Sequence, residues 1–75
     1  MSGERELHDL FEAAAKRGHH CRIVYRDTLG EHHAVMALPR VCRLVDGAMW
    51  AFFISEAGED MEVRLDDIVA IEPRA

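Results

Sequence analysis

No apolar run in this sequence approaches the ~20 residues that a bilayer-spanning helix needs. Met1-Ser2-Gly3-Glu4 offers no basic segment leading into an apolar one. Neither a membrane anchor nor a secretion signal is expected. Cysteine is scarce: Cys21 and Cys42 stand apart, outside any Cys-x-x-Cys pair. That argues against a redox or zinc motif and for reduced thiols in the cytoplasm. There is no glycine-rich phosphate loop, nucleophile elbow or Cys–His pair, so no cofactor and no enzymatic activity are expected. Lysine is nearly absent; eight of the nine basic residues are arginine. Arginine favours bidentate recognition of phosphate or carboxylate, although a compositional bias of the genome gives the same count.

What the chain does contain is a soluble composition, 49% apolar and 31% charged, in 75 residues. A single domain over residues 1–75 follows. A chain of this size buries only about 60–65% of its unfolded surface, which makes a homo-oligomer the expected state. The net charge of −5 is unevenly spread. Arg17 to Arg43 holds five arginines and four histidines against Asp27 and Glu31, whereas Leu44 onward holds eight carboxylates against Arg64 and Arg74. A basic side and an acidic side are expected if these segments occupy different surfaces.

Leu7, Leu10, Phe11 and Ala14 form an apolar stripe at i, i+3, i+4 and i+7, predicting a helix over 4–17. Glu4 and Glu6 begin it, Lys16 and Arg17 end it, and Gly18 is placed to stop it. From His20 the period becomes two. Cys21, Ile23 and Tyr25 alternate with Arg22, Val24 and Arg26, and Asp27 to Gly30 makes a turn. His33 to Leu38 is a second strand, continued by Val41 to Val45 beyond Pro39, which marks a strand end, a bulge or an exposed edge. Asp46-Gly47 is a hairpin turn. Met49 to Ile54, wholly apolar, reads as a central strand covered on both faces. Ala57 to Asp60 turns the chain, Met61 to Leu65 alternates, Asp66-Asp67 bends, and Ile68 to Ile71 is the last strand. The fold class is mainly β: an N-terminal helix, then a five-stranded bent antiparallel barrel of Sm/SH3-like type, with all strands within 20–72. The helix is expected to cap one open end.

With the strands placed, Ile23-Val24-Tyr25-Arg26-Asp27, Pro39, Gly47 followed by Trp50-Ala51-Phe52, and Arg64-Leu65-Asp66-Asp67-Ile68 resemble, in order and spacing, the motifs of the WYL-domain family. Ala51 and Phe52 stand where the signature has tyrosine and leucine, and Asp67 stands where the closing element has arginine. The resemblance covers roughly residues 20–73 and implies an Sm-like fold in a bacterial regulatory module. The ligand would be a small anion or single-stranded nucleic acid. Tyr25, Arg26, Arg40, Arg43 and Arg64 would carry that contact. The chain is also similar in length, charge and element order to the Rof-like proteins that bind the transcription factor Rho. That likeness implies docking of a basic protein surface by Glu56, Glu59, Asp60, Glu62 and Asp67.

Other candidates have plainer readings. Trp50, inside an apolar strand, is read as core, with a stacking platform as its alternative. The pairs His19-His20 and His32-His33 each offer at most one ligand per strand face, so no metal site is expected. Asp66 is expected to cap its bend by accepting from nearby backbone N–H groups.

Overall fold

The computed structural model describes residues 3–73: one α-helix followed by five strands and a short 3-10 turn. The helix α1 spans Gly3–Arg17. Phe11 and Ala14 are buried and Leu7 packs on the same cluster, while Leu10, at the rim of the stripe, is exposed. Phe11 meets Phe53 edge to face with ring centroids 6.3 Å apart. The helix ends as its glycine foretells. Gly18 takes φ 68°, its N–H donates to the Ala15 carbonyl at 3.2 Å, and the His19 N–H donates to the Ala14 carbonyl at 3.1 Å. This is the paired closure of a Schellman motif. The side chain of Glu4 lies outside the described residues.

The strands are β1 (Cys21–Arg26), β2 (His32–Val45), β3 (Ala48–Ser55), β4 (Asp60–Arg64) and β5 (Ile68–Pro73). They form one antiparallel sheet in the order β4-β3-β2-β1-β5. The five-stranded arrangement read from the sequence is present, but the sheet stays open, with β4 and β5 as its edges. Asp46 and Gly47 close the β2–β3 hairpin with φ of 50° and 80°, the two left-handed positions of a type I′ turn.

β2 joins two halves of the sheet. Its first part pairs with β1 as far as Ala37↔Cys21, and its second part pairs with β3 from Ala37↔Ser55 onward. Pro39 is buried, and the register slips between Pro39↔Phe53 and Val41↔Phe52. Of the three readings of Pro39, the bulge is the one found, with Arg40 as the extra residue; the strand runs through it. The proline also lies past the last residue paired with β1, where its missing N–H costs no ladder bond on that side. Bulges bend strands and tighten twist, and this one helps wrap the sheet around a core of Phe11, Ile23, Ala37, Phe53, Leu65 and Ile71.

Three local expectations are corrected. β3 is not covered on both faces: Ala51, Phe53 and Ser55 are buried, whereas Trp50, Phe52 and Ile54 are half-buried on the opposite side. The single helix supplies a covering layer for one face only, so Trp50 is not core. Leu65 does not extend β4 but opens the 3-10 turn Leu65–Asp67, where it is buried. Asp66 does not cap that turn with its side chain. Its carboxylate lies 3.5 Å from the Arg64 guanidinium, and its carbonyl accepts from Arg26 at 2.7 Å.

Candidate ligand surface on the outer face

Residues directly opposite on neighbouring strands share a face, with Cβ atoms about 4.5–5.5 Å apart. The pairings Arg43↔Trp50 and Trp50↔Arg64 therefore set Arg43, Trp50 and Arg64 in one row across β2, β3 and β4. The next row is Val41, Phe52 and Glu62, and the one beyond is Leu38, Ile54 and Asp60. This is the face that α1 leaves uncovered. A cleft of about 450 Å³ is bordered by Arg40, Arg43, Phe52, Asp60 and Glu62. A second, of about 420 Å³, is bordered by Trp50, Phe52, Glu62 and Arg64. The two clefts share Phe52 and Glu62, making one aromatic surface edged by arginines on either side.

The partners of those arginines divide them. Arg64 faces Asp66 at 3.5 Å. Arg40 and Arg43 have no side-chain hydrogen bond or ion pair among the described residues. They are exposed cations beside half-buried aromatic rings, a combination suited to an anion carrying a flat ring. Asp60 and Glu62 lower the potential along the β4 side, so an anion would sit nearer β2.

Of the five residues expected to share one surface, the sheet brings Arg40, Arg43 and Arg64 to the outer face of β2–β4. Tyr25 and Arg26 lie elsewhere. Tyr25 packs against the core and sits against the His33 ring, centroids 5.5 Å apart. Arg26, on the opposite side of β1, is held by the Asp66 carbonyl at 2.7 Å and lies 3.8 Å from the Asp67 carboxylate. Such exposed ion pairs contribute only about 0–1 kcal/mol, but the bond to the carbonyl ties β1 to the turn before β5. The acidic set is also divided. Glu56 and Glu59 belong to the β3–β4 turn, Asp60 and Glu62 border the arginine cleft, and Asp67 faces Arg26. The sequence reading did not place Phe52 on this surface; the strict alternation Trp50, Phe52, Ile54 was the available signal.

One contact at the β1–β2 turn was also unforeseen. Asp27 Oδ1 accepts from the Leu29 and Glu31 amides, each at 2.9 Å, and Oδ2 lies 2.7 Å from His33 Nε2. The hydrogen bond to His33 leads, and the backbone bonds assist, in holding the Asp27 carboxyl below the usual carboxylate range. Asp27, Glu31 and His33 are the group among the described residues whose potential metal-ligating atoms gather within 4.8 Å. Both Asp27 oxygens are engaged in closing the turn. The two thiols are suppressed: burial raises Cys21, and burial assisted by Glu12 pushes Cys42 up to about 11.

No helix of the described residues is long and apolar enough to cross a membrane. No protein-family model matches the chain, and no curated protein matches it. Among solved structures the chain is similar to "Proteasome accessory factor B/C (PafBC) of Arthrobacter aurescens", with a TM-score of 0.85 and 19% identity. The match covers 93% of this chain and 11% of that one, so the chain spans about a tenth of PafBC. At that identity the likeness speaks for the fold, and it supports a WYL-like arrangement of helix and bent five-stranded sheet.

Proposed function

We propose that this chain is a WYL-like regulatory binding module that recognises a small anionic ligand or single-stranded nucleic acid through the outer face of β2–β4. The observation that carries this reading is the pair of guanidinium groups, Arg40 and Arg43, without a side-chain partner among the described residues, at a cleft bordered by Phe52 and continuous with Trp50 and Arg64. The arginines would hold phosphate by charge-assisted hydrogen bonds. Trp50 and Phe52 would take a base or other flat ring, each stacked base contributing about 1–3 kcal/mol. The neighbour's name, an accessory factor, is in keeping with an auxiliary rather than a catalytic role. Self-association belongs to the same proposal, because β4 and β5 each leave one row of backbone groups without a sheet partner among the described residues.

Trp50 is the single tryptophan and reports on its own surface. Its emission is expected to change on titration with short single-stranded DNA, RNA or nucleotides, with affinity falling as salt rises. Arg43→Ala should weaken binding by about fivefold or more, while Arg22→Ala, whose guanidinium is paired with Glu72 at 2.8 Å, should not. Unchanged emission and no binding at low salt would overturn the reading. The Rof-like alternative, docking of a basic protein through Glu56, Glu59, Asp60, Glu62 and Asp67, has less support as one surface because those carboxylates occupy three places.

A further inference from the structure

The two edges of the sheet differ. β5 pairs with β1 through a register shift at Val24 and Tyr25, ends at Pro73, and has its Glu72 paired with Arg22 at 2.8 Å. Bulges and prolines are devices that blunt a sheet edge. β4 shows neither. Its backbone directions follow from the hairpin. The Ser55 N–H donates to the Glu59 carbonyl at 2.9 Å, and that pair continues the register Ile54↔Asp60, Phe53↔Met61, Phe52↔Glu62 and Ala51↔Val63. Bonded and non-bonded pairs alternate along an antiparallel ladder. Met61 and Val63 thus bond to β3, while Asp60, Glu62 and Arg64 turn their N–H and C=O groups to the open edge. The side chains of these three are exposed on the outer face, and Met61 and Val63, half-buried, pack on the core side. Glu62 has no side-chain partner among the described residues. Arg64 faces the Asp66 carboxylate at 3.5 Å, which leaves other donors of its guanidinium to use.

We infer that β4 pairs antiparallel with β4 of a second copy about a two-fold axis at Val63, so that Glu62 of each chain faces Arg64 of the other. A two-fold interface uses the same patch on both copies, so the strand must complement itself. An axis at Met61 would set Asp60 against Glu62. An axis at Glu62 would bring the two Glu62 carboxylates face to face. Like charges directly opposite destabilise a sheet. The axis at Val63 makes both hydrogen-bonded pairs Glu62–Arg64 and sets the two Val63 side chains together on the core side. Asp60 then falls opposite the second copy's Asp66, past the end of the ladder, because Leu65 leaves β4 for the 3-10 turn. This inference rests on the self-association proposed above and gives it a partner and a register. It also extends the outer face. Glu62 is the carboxylate common to both clefts. With the second copy's Arg64 beside it, the arginines of two chains border one continuous anion-facing surface.

The test follows the mass of the full chain by sedimentation across a micromolar dilution series. The wild-type chain is expected to be a dimer that dissociates on dilution. Glu62→Arg and Arg64→Glu each set like charges across the edge and should each raise the dimer Kd by about fivefold or more. The two changes combined should restore it. Both side chains are exposed, so the variants leave the core untouched, as circular dichroism should record. Val63→Cys should form an interchain disulfide on mild oxidation, because facing side chains of a non-bonded pair lie close together. The wild-type chain, with Cys21 buried and Cys42 half-buried, should not. A dimer whose Kd ignores both single changes, or that the combined change fails to restore, overturns this register and leaves self-association standing. A wild-type mass of one chain throughout the series overturns both.

Discussion

The Asp27 carboxylate accepts from the Leu29 and Glu31 amides and lies against His33, and each of these contacts favours its charged form. Its folded-state value therefore lies below the ordinary 3.8. A depressed carboxyl contributes stability that is fully present above the unfolded value and is lost as pH falls through the folded one. The wild-type chain should thus lose stability, as pH falls below the ordinary carboxylate value, that Asp27→Asn does not lose; urea midpoints measured at falling pH would show the two curves converge. The thiols give a second check at this scale. With Cys21 fully buried and Cys42 pushed up to about 11, roughly a thousandth of Cys42 is thiolate at pH 8. Alkylation by iodoacetamide should be far slower than for a free cysteine until denaturant is added, as mass spectrometry over time would record. The turn at Asp27 was legible, since its bonds to the Leu29 and Glu31 amides are local; the rest was not. His33 reaches Asp27, and Glu12 comes near Cys42, through register and packing, which spacing in the sequence does not give.

At the scale of elements, α1 holds to the sheet through one aromatic contact above all. Phe11 is 0% exposed and meets Phe53, itself 1% exposed. Phe11→Ala should cost about 3–5 kcal/mol, the usual range for a buried aromatic, read from the shift of a urea transition. Substituting Gly47 is a milder change. A Cβ there meets nothing within 4 Å, but φ is 80°. Gly47→Ala should therefore cost about 1 kcal/mol through backbone strain alone, and the β2–β3 hairpin amides should exchange faster. The elements were the most legible level, because the helix stripe, the period-two strands and the Asp46-Gly47 turn are local signals. Trp50 marks the limit. An apolar run says that a strand is buried somewhere, but the number of layers covering it depends on how many helices are available, and the described residues form one.

For the whole molecule, the open edges and modest core make self-association the outcome to measure. Light scattering across a micromolar dilution series should give a mass above that of one chain; a constant single-chain mass would show that β4 and β5 need no partner. The basic and acidic sides expected from composition are only partly separated, since Asp60 and Glu62 share a cleft with Arg40 and Arg43. Charge counts along a chain do not foresee this, because an antiparallel hairpin folds one segment back over another. The extra residue at Arg40 carries a further consequence. Before it, the inward side chains of β2 have odd numbers, Val35, Ala37 and Pro39; after it the even-numbered Cys42 packs on the core and Arg43 points out. The strand thus changes phase once along its length. A one-residue deletion at that place would turn Val41, Arg43 and Val45 inward and Cys42 outward, ruining core and surface together. In a natural variant, an indel here should be tolerated only when a second, compensating one restores the phase before the Asp46-Gly47 turn.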